Sequence, residues 1–292
     1  MPTIRQLKRR IQSVKNTAKI TNALQLVAAS KMRRAQDRAS QAQPYAEKLR
    51  TVLAGLASSA PEEGEEQGEM ALLASRPVRN IAVLHITPDR GLCGGLNSNI
   101  NRSGGSFVAM QHEPVQVVAV GKKGRDFFTR AHVHLAAEFV DLGDYPSQAD
   151  TLGISRLIID DYLNGVVDRV YISFSEFVST ATQRPAIRQL LPIEPPSDEG
   201  GESAALQDYI FEPSPEVVLK RLLPRYIEMQ IYEAVLQNAA SFQSAQMVAM
   251  KNATDNANEI TRELTLTYNK TRQEQITKEL LDIVGGAAAL EE

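Results

Sequence analysis

A glycine-rich segment, residues 91–95 (GLCGG), follows an apolar run in the middle of the chain. Phosphate-binding loops occupy this position in many α/β proteins, because backbone N–H groups at the start of the next helix can bind an anion. Neither glycine pattern typical of nucleotide-binding loops is present, and Gly121-Lys122-Lys123 lacks the upstream glycine of a P-loop. The segment therefore favours a tight turn over a nucleotide site.

Other residue types that carry chemistry are sparse. Cys93 is the only cysteine, which excludes an intrachain disulfide and indicates a reducing compartment. It could act as a nucleophile, but no Cys-His arrangement with a third orienting residue can be identified. His132 and His134 would share one face of a strand, yet no carboxylate or cysteine stands at ligand spacing. We predict no catalytic, cofactor-binding or metal-binding residue.

Charge is distributed unevenly along the chain. The 32 basic and 35 acidic residues give a net charge of −3, but residues 1–50 hold twelve Lys and Arg against Asp37 and Glu47. This basic segment predicts an acidic partner, which could be nucleic acid, a lipid surface or a protein; a solvated helix face is the alternative. Residues 1–44 contain no aromatic side chain, which argues against single-strand nucleic acid but leaves duplex binding through phosphates open.

The first sixty residues have the pattern of a long helix. Fourteen of sixteen heptad seam positions from Ile4 to Leu56 are apolar, with Thr21 and Gln25 as the exceptions. Such a helix is roughly 80 Å long at 1.5 Å per residue. Pro44 lies inside it and is expected to kink it.

The last eighty residues repeat this pattern. Ser214-Pro215-Glu216 is typical of a helix N-terminus, and apolar residues recur at helical spacing as far as Leu290. Each terminal helix has an apolar stripe, so we expect the two to pair antiparallel. The predicted segments are an N-terminal helix over 1–60, an α/β domain over 76–195 and a C-terminal helix over 208–292.

Short apolar runs between turn residues occupy the middle of the chain. They predict strands at 78–87, 114–121, 133–142, 168–179 and 185–193, with helices near 124–129 and 149–163. The tight turn at 180–183 predicts a hairpin and therefore a mixed sheet. The fold class is thus α/β plus a long antiparallel coiled coil, with a central Rossmann-like mixed α/β domain. No apolar run is long enough to cross a membrane.

Three stretches resemble the gamma subunit of rotary (F-type) ATP synthases of the bacterial type. They are residues 20–36 (ITNALQLVAASKMRRAQ), residues 89–97 (DRGLCGGLN), and the C-terminal pair 247–256 (MVAMKNATDN) and 276–287 (ITKELLDIVGGA). The matches occur in order and are spread along nearly the whole chain.

The resemblance implies a rotating central shaft with no catalytic residues of its own. In that family the terminal helices insert into the ring of alpha and beta subunits, and the α/β domain sits with epsilon on the c-ring. The implied role is to couple proton-driven rotation of the c-ring to ATP synthesis or hydrolysis on beta. The implied location is peripheral, on the cytoplasmic face of the bacterial cell membrane, with no nucleic acid, cofactor or transmembrane segment.

Individual contacts follow from the resemblance. Leu24 matches a position that faces the acidic tip of beta. Four C-terminal residues match positions that engage beta higher on the shaft: Arg272, Gln273, Thr277 and Glu279. Phe211 and Glu212 match the contact with the polar loop of the c-ring, with Phe in place of the frequent Tyr.

The spacing of charged residues along the helices supports some of these contacts independently of the resemblance. Arg9, Arg10 and Lys31 have few or no acids on their own helix and are expected to face acidic surface on beta. Lys270 and Lys278 have acids at three or four places on their helix, whereas Arg272 has none and Glu279 has no base. Arg272 and Glu279 are therefore expected at one interface with beta.

The chain departs from the family at residues 101–106 (NRSGGS), where relatives carry a continuous helix, and it lacks the two-cysteine regulatory insertion of chloroplast relatives. A nucleotide-dependent enzyme with coiled-coil arms and a nucleic-acid-binding coiled coil stay open as alternatives; ATP binding and salt-dependent DNA binding would distinguish them.

Overall fold

The computed structural model describes residues 3–58, 68–194 and 212–288. The chain divides into two compact units. The helical unit consists of Met1–Ala28 and Gln246–Glu292, and the α/β unit consists of Ala29–Ala245. The division into segments 1–60, 76–195 and 208–292 stays a prediction.

The elements follow one another in an α/β order flanked by two long helices. They are α1 (Ile4–Ser58), a short 3₁₀ helix (Gly68–Leu72), β1 (Ile81–Ile86), α2 (Leu96–Met110), β2 (Val115–Val120), α3 (Lys122–Arg130), β3 (Leu135–Phe139), α4 (Gln148–Leu163), β4 (Arg169–Phe177), β5 (Gln183–Leu191) and α5 (Pro215–Ala288). The two predicted terminal helices are confirmed. Within the described ranges, no helix is both long and apolar enough to cross a bilayer.

The five strands form one mixed sheet in the order β3-β2-β1-β4-β5. β1 pairs parallel with β2 and with β4, and β2 pairs parallel with β3. β4 and β5 pair antiparallel through the predicted hairpin. All six residues of β1 are buried, as expected for a central parallel strand with helices on both faces. The predicted mixed α/β fold is confirmed.

Alternation along β1 assigns its side chains to two cores. Ala82, Leu84 and Ile86 belong to the larger core, which α4, the 3₁₀ helix and the neighbouring parts of α1 and α5 complete. Ile81 and Val83 belong to the smaller core, which the side chains of α2 and α3 cover. His85 shares this second face, where Phe128 contacts its ring edge-on at 5.0 Å between centroids.

The departure from the family at residues 101–106 does not interrupt a helix, because α2 runs unbroken from Leu96 to Met110. The two glycines serve packing. A Cβ on Gly104 would lie 2.7 Å from Cε1 of His85, and one on Gly105 would lie 2.9 Å from the ring of Phe127. Close approach of α2 to the sheet and to α3 therefore offsets the roughly 1 kcal/mol that each glycine costs a helix.

The prediction that His132 and His134 share one face of a strand is wrong. β3 begins only at Leu135, and His132 lies in the turn after α3 with a φ of 54°. Both His132 and His134 are exposed. They therefore do not share a strand face.

The two long helices run antiparallel within the α/β unit. Near one end, Lys31 of α1 and Gln243 of α5 both bond the carboxylate of Asp144. Further along, Arg50 of α1 and Gln230 of α5 line one cavity, so the numbering rises on one helix as it falls on the other. Ser214 caps α5 by accepting a hydrogen bond from the backbone N–H of Val217 at 3.3 Å, which confirms the predicted helix start.

Candidate functional site

Large and small apolar side chains together form the buried seam of the helical unit. Leu7, Ala18 and Ala28 are buried on α1, and Met250 and Ala257 are buried on α5. Alanine lets two helix backbones approach closely, so this seam favours a narrow, tightly paired rod.

The seam exception Thr21 is a polar contact between the two helices. Its Oγ1 lies 2.6 Å from Oγ1 of Thr254, and it also lies 3.1 Å from the carbonyl oxygen of Ala18. Thr254 in turn donates to the carbonyl oxygen of Met250 at 2.9 Å. A buried hydroxyl needs such partners, so the pair fixes the register of the two helices. Gln25, the other exception, is half-buried.

The outer face of α1 in the helical unit is basic. Six side chains on it are exposed: Arg5, Lys8, Arg9, Arg10, Lys15 and Lys19. None of them lies within ion-pair distance of a carboxylate in the part of the chain that the structure describes. This surface can bind an acidic partner, and the contact of Arg9 and Arg10 with beta stays a prediction.

The last turns of α5 expose the four predicted contact residues. Arg272 and Glu279 are seven residues apart and lie on one face, about 10 Å apart along the axis. Gln273 and Thr277 are four residues apart and lie together on another face. All four are exposed, and Glu279 accepts a hydrogen bond from Nε2 of Gln275 at 2.9 Å. Their contact with beta stays a prediction.

The two lysines that were contrasted with Arg272 do not pair with the acids on their own helix. Neither Lys270 nor Lys278 lies within ion-pair distance of an acid among the described residues, and the same holds for Arg272. The acids at helical spacing are therefore available but unused, since an exposed pair of this kind contributes only a few tenths of a kcal/mol. Arg272 differs from the lysines by its planar guanidinium and by having no acid three or four places away on its own helix.

Exposed apolar side chains accompany these charges. Leu24 is half-buried, and Ile20, Leu26 and Val27 around it are exposed. Near its end α5 exposes five more large apolar residues: Ile276, Leu280, Leu281, Ile283 and Val284. Contiguous apolar surface of this kind is typical of an interaction site.

Lys31 differs from the other predicted ring contacts. It belongs to the α/β unit, where its Nζ lies 2.7 Å from Oδ2 of Asp144 in the loop after β3. Tyr145 in the same loop contacts the guanidinium groups of Arg34 and Arg38. Lys31 is therefore paired, although its own helix offers it no acid three or four places away. Its contact with beta stays a prediction, but the lack of a partner no longer supports it.

The predicted c-ring contact is described only in part. Phe211 lies outside the described residues. Glu212 is exposed and stands three residues before the start of α5. Both stay predictions.

The glycine-rich segment and Cys93, which could have carried chemistry in the α/β unit, have a structural role instead. The glycine-rich segment 91–95 forms a turn with Leu92 and Gly94 at positive φ, and burial raises the pKa of the Cys93 thiol, which disfavours a nucleophilic thiolate. Among the described residues, no group of three or more His, Cys, Asp or Glu could hold a metal ion.

His85 is a buried residue that the sequence did not single out. Its Nε2 lies 3.0 Å from Oδ1 of Asn101 and donates to it, so Nδ1 accepts from the hydroxyl of Ser173 at 3.1 Å. Burial lowers the pKa of His85 to about 4, although the hydrogen bond to Asn101 acts in the opposite direction. A histidine inside an otherwise apolar strand was the signal available in the sequence.

Comparisons with known proteins give a consistent result. The family model described as ATP synthase matches residues 3–290. The ATP synthase gamma chain of Dehalococcoides mccartyi (strain CBDB1) is 54% identical over 290 residues, covering 99% of this chain and 100% of the relative. That of Roseiflexus sp. (strain RS-1) is 50% identical over 296 residues, covering 100% of both chains.

A solved structure is similar in fold. A chain of the Euglena gracilis mitochondrial ATP synthase, in the structure of OSCP, F1 and the c-ring in rotational state 3, aligns with a TM-score of 0.68 at 21% identity. The alignment covers 98% of this chain and 94% of that one. With its long paired helices, mixed sheet and full-length relatives, this chain belongs to the gamma chain family of the ATP synthases.

Proposed function

We propose that this chain is the central rotor shaft of a proton-translocating F-type ATP synthase. It couples rotation of the c-ring to ATP synthesis or hydrolysis at catalytic sites on the beta subunits, and it carries no catalytic residue itself. Its partners are the alpha and beta subunits, epsilon and the c-ring. It lies at the cytoplasmic face of the bacterial cell membrane as a peripheral part of the complex.

The surface of the helical unit carries this proposal. Its described residues combine unpaired cations on α1 with large exposed apolar side chains at the end of α5. Large apolar side chains are costly to leave in water, and unpaired cations attract an acidic partner, so the two features together suit a ring with apolar and acidic regions. Leu24, Arg9 and Arg10 would meet the ring through α1, with Lys31 further along the same helix.

The end of α5 supplies the second set of ring contacts. Arg272 and Glu279 share a face and present opposite charges, so each can pair with a complementary residue of beta. Gln273 and Thr277 present hydrogen-bonding groups on an adjacent face. Their exposure in the isolated chain supports the proposal that a partner covers them in the complex.

The α/β unit would make the remaining contacts. Phe211 and Glu212 are proposed to contact the c-ring, and the sheet domain to bind epsilon. The fully buried β1 and its two cores favour a rigid body, which a base that transmits torque requires.

Assembly with the cognate alpha and beta subunits tests the proposal first. We expect the full chain to yield a complex that hydrolyses ATP, and a chain ending at Thr271 to yield one with weaker coupling between hydrolysis and rotation. The α/β unit of the truncated chain should remain folded, which circular dichroism checks.

Rotation is the decisive measurement. Cys93 is buried and Met110 is exposed, so Met110→Cys can carry a probe particle without competition from the native thiol. With the ring fixed to a surface, ATP should drive stepwise rotation of the probe in one direction. A complex that hydrolyses ATP while the probe stays still would contradict the shaft function and leave a static scaffold.

A further inference from the structure

A cavity of about 270 Å³ opens beyond the carboxyl ends of three adjacent strands in the α/β unit. Its walls are the ends of β1 and β2, the loop after β3, and residues 235–243 of α5. Ligands of open α/β sheets bind in this position, outside the carboxyl ends of the strands. At about 30 Å³ each, roughly nine water molecules would fill the space.

Two side chains of α5 bring unsatisfied hydrogen-bond acceptors to this cavity. Asn238 and Gln243 both line it, and their exposed fractions are only 6% and 3%. The amide oxygen of each has no partner among the described residues. Because the terminal torsion of Asn and Gln is broad, the Asn238 amide can turn its oxygen into the cavity at little cost, whereas turning the Gln243 amide gives up its 3.5 Å hydrogen bond to Asp144. A buried carbonyl oxygen without a donor costs about 1–3 kcal/mol, so both are suited to a ligand that brings N–H groups.

The carboxylates at the cavity differ in how they are neutralised. Asp144 pairs with Lys31 and Arg90, and Asp141 pairs with Lys122 at 2.7 Å. Asp89 instead accepts two backbone hydrogen bonds, from Lys122 at 2.9 Å and from Asp141 at 3.1 Å. In the described part of the chain no cation lies within ion-pair distance of Asp89, and its oxygens keep free lone pairs.

These features select the chemistry of the occupant. Of the three lining carboxylates, only Asp89 lacks a cation within ion-pair distance among the described residues, and the one lining cation, Arg90, is already paired with Asp144. The lining therefore offers no free cation to an anion. A bare metal ion is disfavoured too, because no cluster of three or more His, Cys, Asp or Glu exists among the described residues and the cavity is larger than one ion needs. An organic cation supplies both a positive charge and N–H donors.

We propose that this cavity binds a small organic cation, a primary ammonium or guanidinium compound, with Asp89 as counter-ion and the amides of Asn238 and Gln243 as hydrogen-bond acceptors. Lys31, one of the proposed ring contacts, pairs with Asp144 of the lining but does not itself line the cavity, and the other proposed ring and c-ring contacts among the described residues lie outside it. The site can therefore be tested on the isolated full chain, and failure of one proposal does not decide the other.

Calorimetric titration with putrescine and with agmatine tests the site. We expect saturable binding of at least one of them at one site per chain, and none of a butanediol of the same chain length as putrescine. Gln243→Met and Asn238→Leu, which keep volume and remove the acceptor, should each weaken binding by on the order of tenfold.

Gln237→Met is the matched control. Gln237 lies on the same helix and also has a buried amide oxygen without a partner, but it lines a different cavity. Its substitution should leave binding unchanged. Absence of saturable binding, equal weakening in all three variants, or a high-resolution structure with putrescine present in which only ordered water fills the cavity would each overturn the proposal.

Discussion

The two units satisfy their charges in opposite ways. Every ion pair found among the described residues lies in the α/β unit, including Lys31 with Asp144 and Arg188 with Glu176. The helical unit has cations on α1 and both signs on α5, yet none of these charges is paired within the described part of the chain.

Apolar surface shows the same contrast. Ten of the fifteen large apolar side chains exposed in the described residues belong to the helical unit, although it is the smaller of the two. The α/β unit encloses its apolar residues between a sheet and helices, whereas two paired helices bury only one narrow stripe each. The α/β unit is therefore complete as an isolated fold, and the helical unit has the surface of an element that a partner covers.

The largest expected effect is a loss of stability of the α/β unit at acid pH. His85 has a folded-state pKa of about 4 against an ordinary value of 6.5, so below pH 6.5 the unfolded chain binds a proton that the folded chain does not. Stability is fully present above pH 6.5 and falls by about 3 kcal/mol as the pH decreases to 4. Urea unfolding followed by near-UV circular dichroism should give a loss of about 2 kcal/mol at pH 5.

The variant His85→Gln is the control for this pH dependence. It cannot titrate, so its stability should be lower at pH 7 but nearly constant between pH 7 and 5. If the wild-type chain were equally stable at both pH values, His85 would not be buried as an uncharged side chain in the α/β unit.

Close packing of α2 should give the next largest effect. Gly104→Ala places a Cβ 2.7 Å from the buried His85 ring, and we expect a loss of about 2 kcal/mol in the free energy of unfolding. Gly153→Ala is the matched change in α4, where the nearest atom is at 3.7 Å, and it should stabilise by about 0.5–1 kcal/mol. Equal effects of the two substitutions in thermal unfolding would show that α2 does not need its glycine.

The helical unit should respond only in the complex. We expect Arg272→Ala to weaken assembly with alpha and beta by about 1–2 kcal/mol, more than Lys278→Ala, because only the guanidinium can form a bidentate pair with a carboxylate. The isolated chains should be equally stable, since neither side chain has an ion pair there. If both substitutions weaken assembly equally, the assignment of Arg272 is wrong.

The smallest effects are expected on the basic face of α1. Reversing Arg9 and Arg10 to Glu should slow ATP turnover of the complex modestly, by up to about 1 kcal/mol per residue, and the effect should shrink as salt is added. Lys31→Glu should instead destabilise the isolated chain, since it removes the pair with Asp144. Unchanged turnover with the first variant would return Arg9 and Arg10 to the role of a solvated surface.

The local sequence pattern determined most of the secondary structure of this protein and its family. The heptad spacing from Ile4 to Leu56 and the cap at Ser214 were sufficient for the two long helices, because helical periodicity and capping depend on residues only a few positions apart. Short apolar runs were sufficient for the five strands, and the turn at 180–183 for the hairpin. The motifs at 20–36 and 89–97 were sufficient for the family.

Tertiary structure alone decided the features that join distant residues. Asp144 pairs with Lys31 across 113 positions, and Thr21 meets Thr254 across 233, so no local pattern could reveal either contact. The helix through Gly104 was missed for the same reason, since its compensation comes from His85 on a different element. Local propensity sets where helices and strands form, but the environment of a buried or paired side chain depends on which elements the fold brings together.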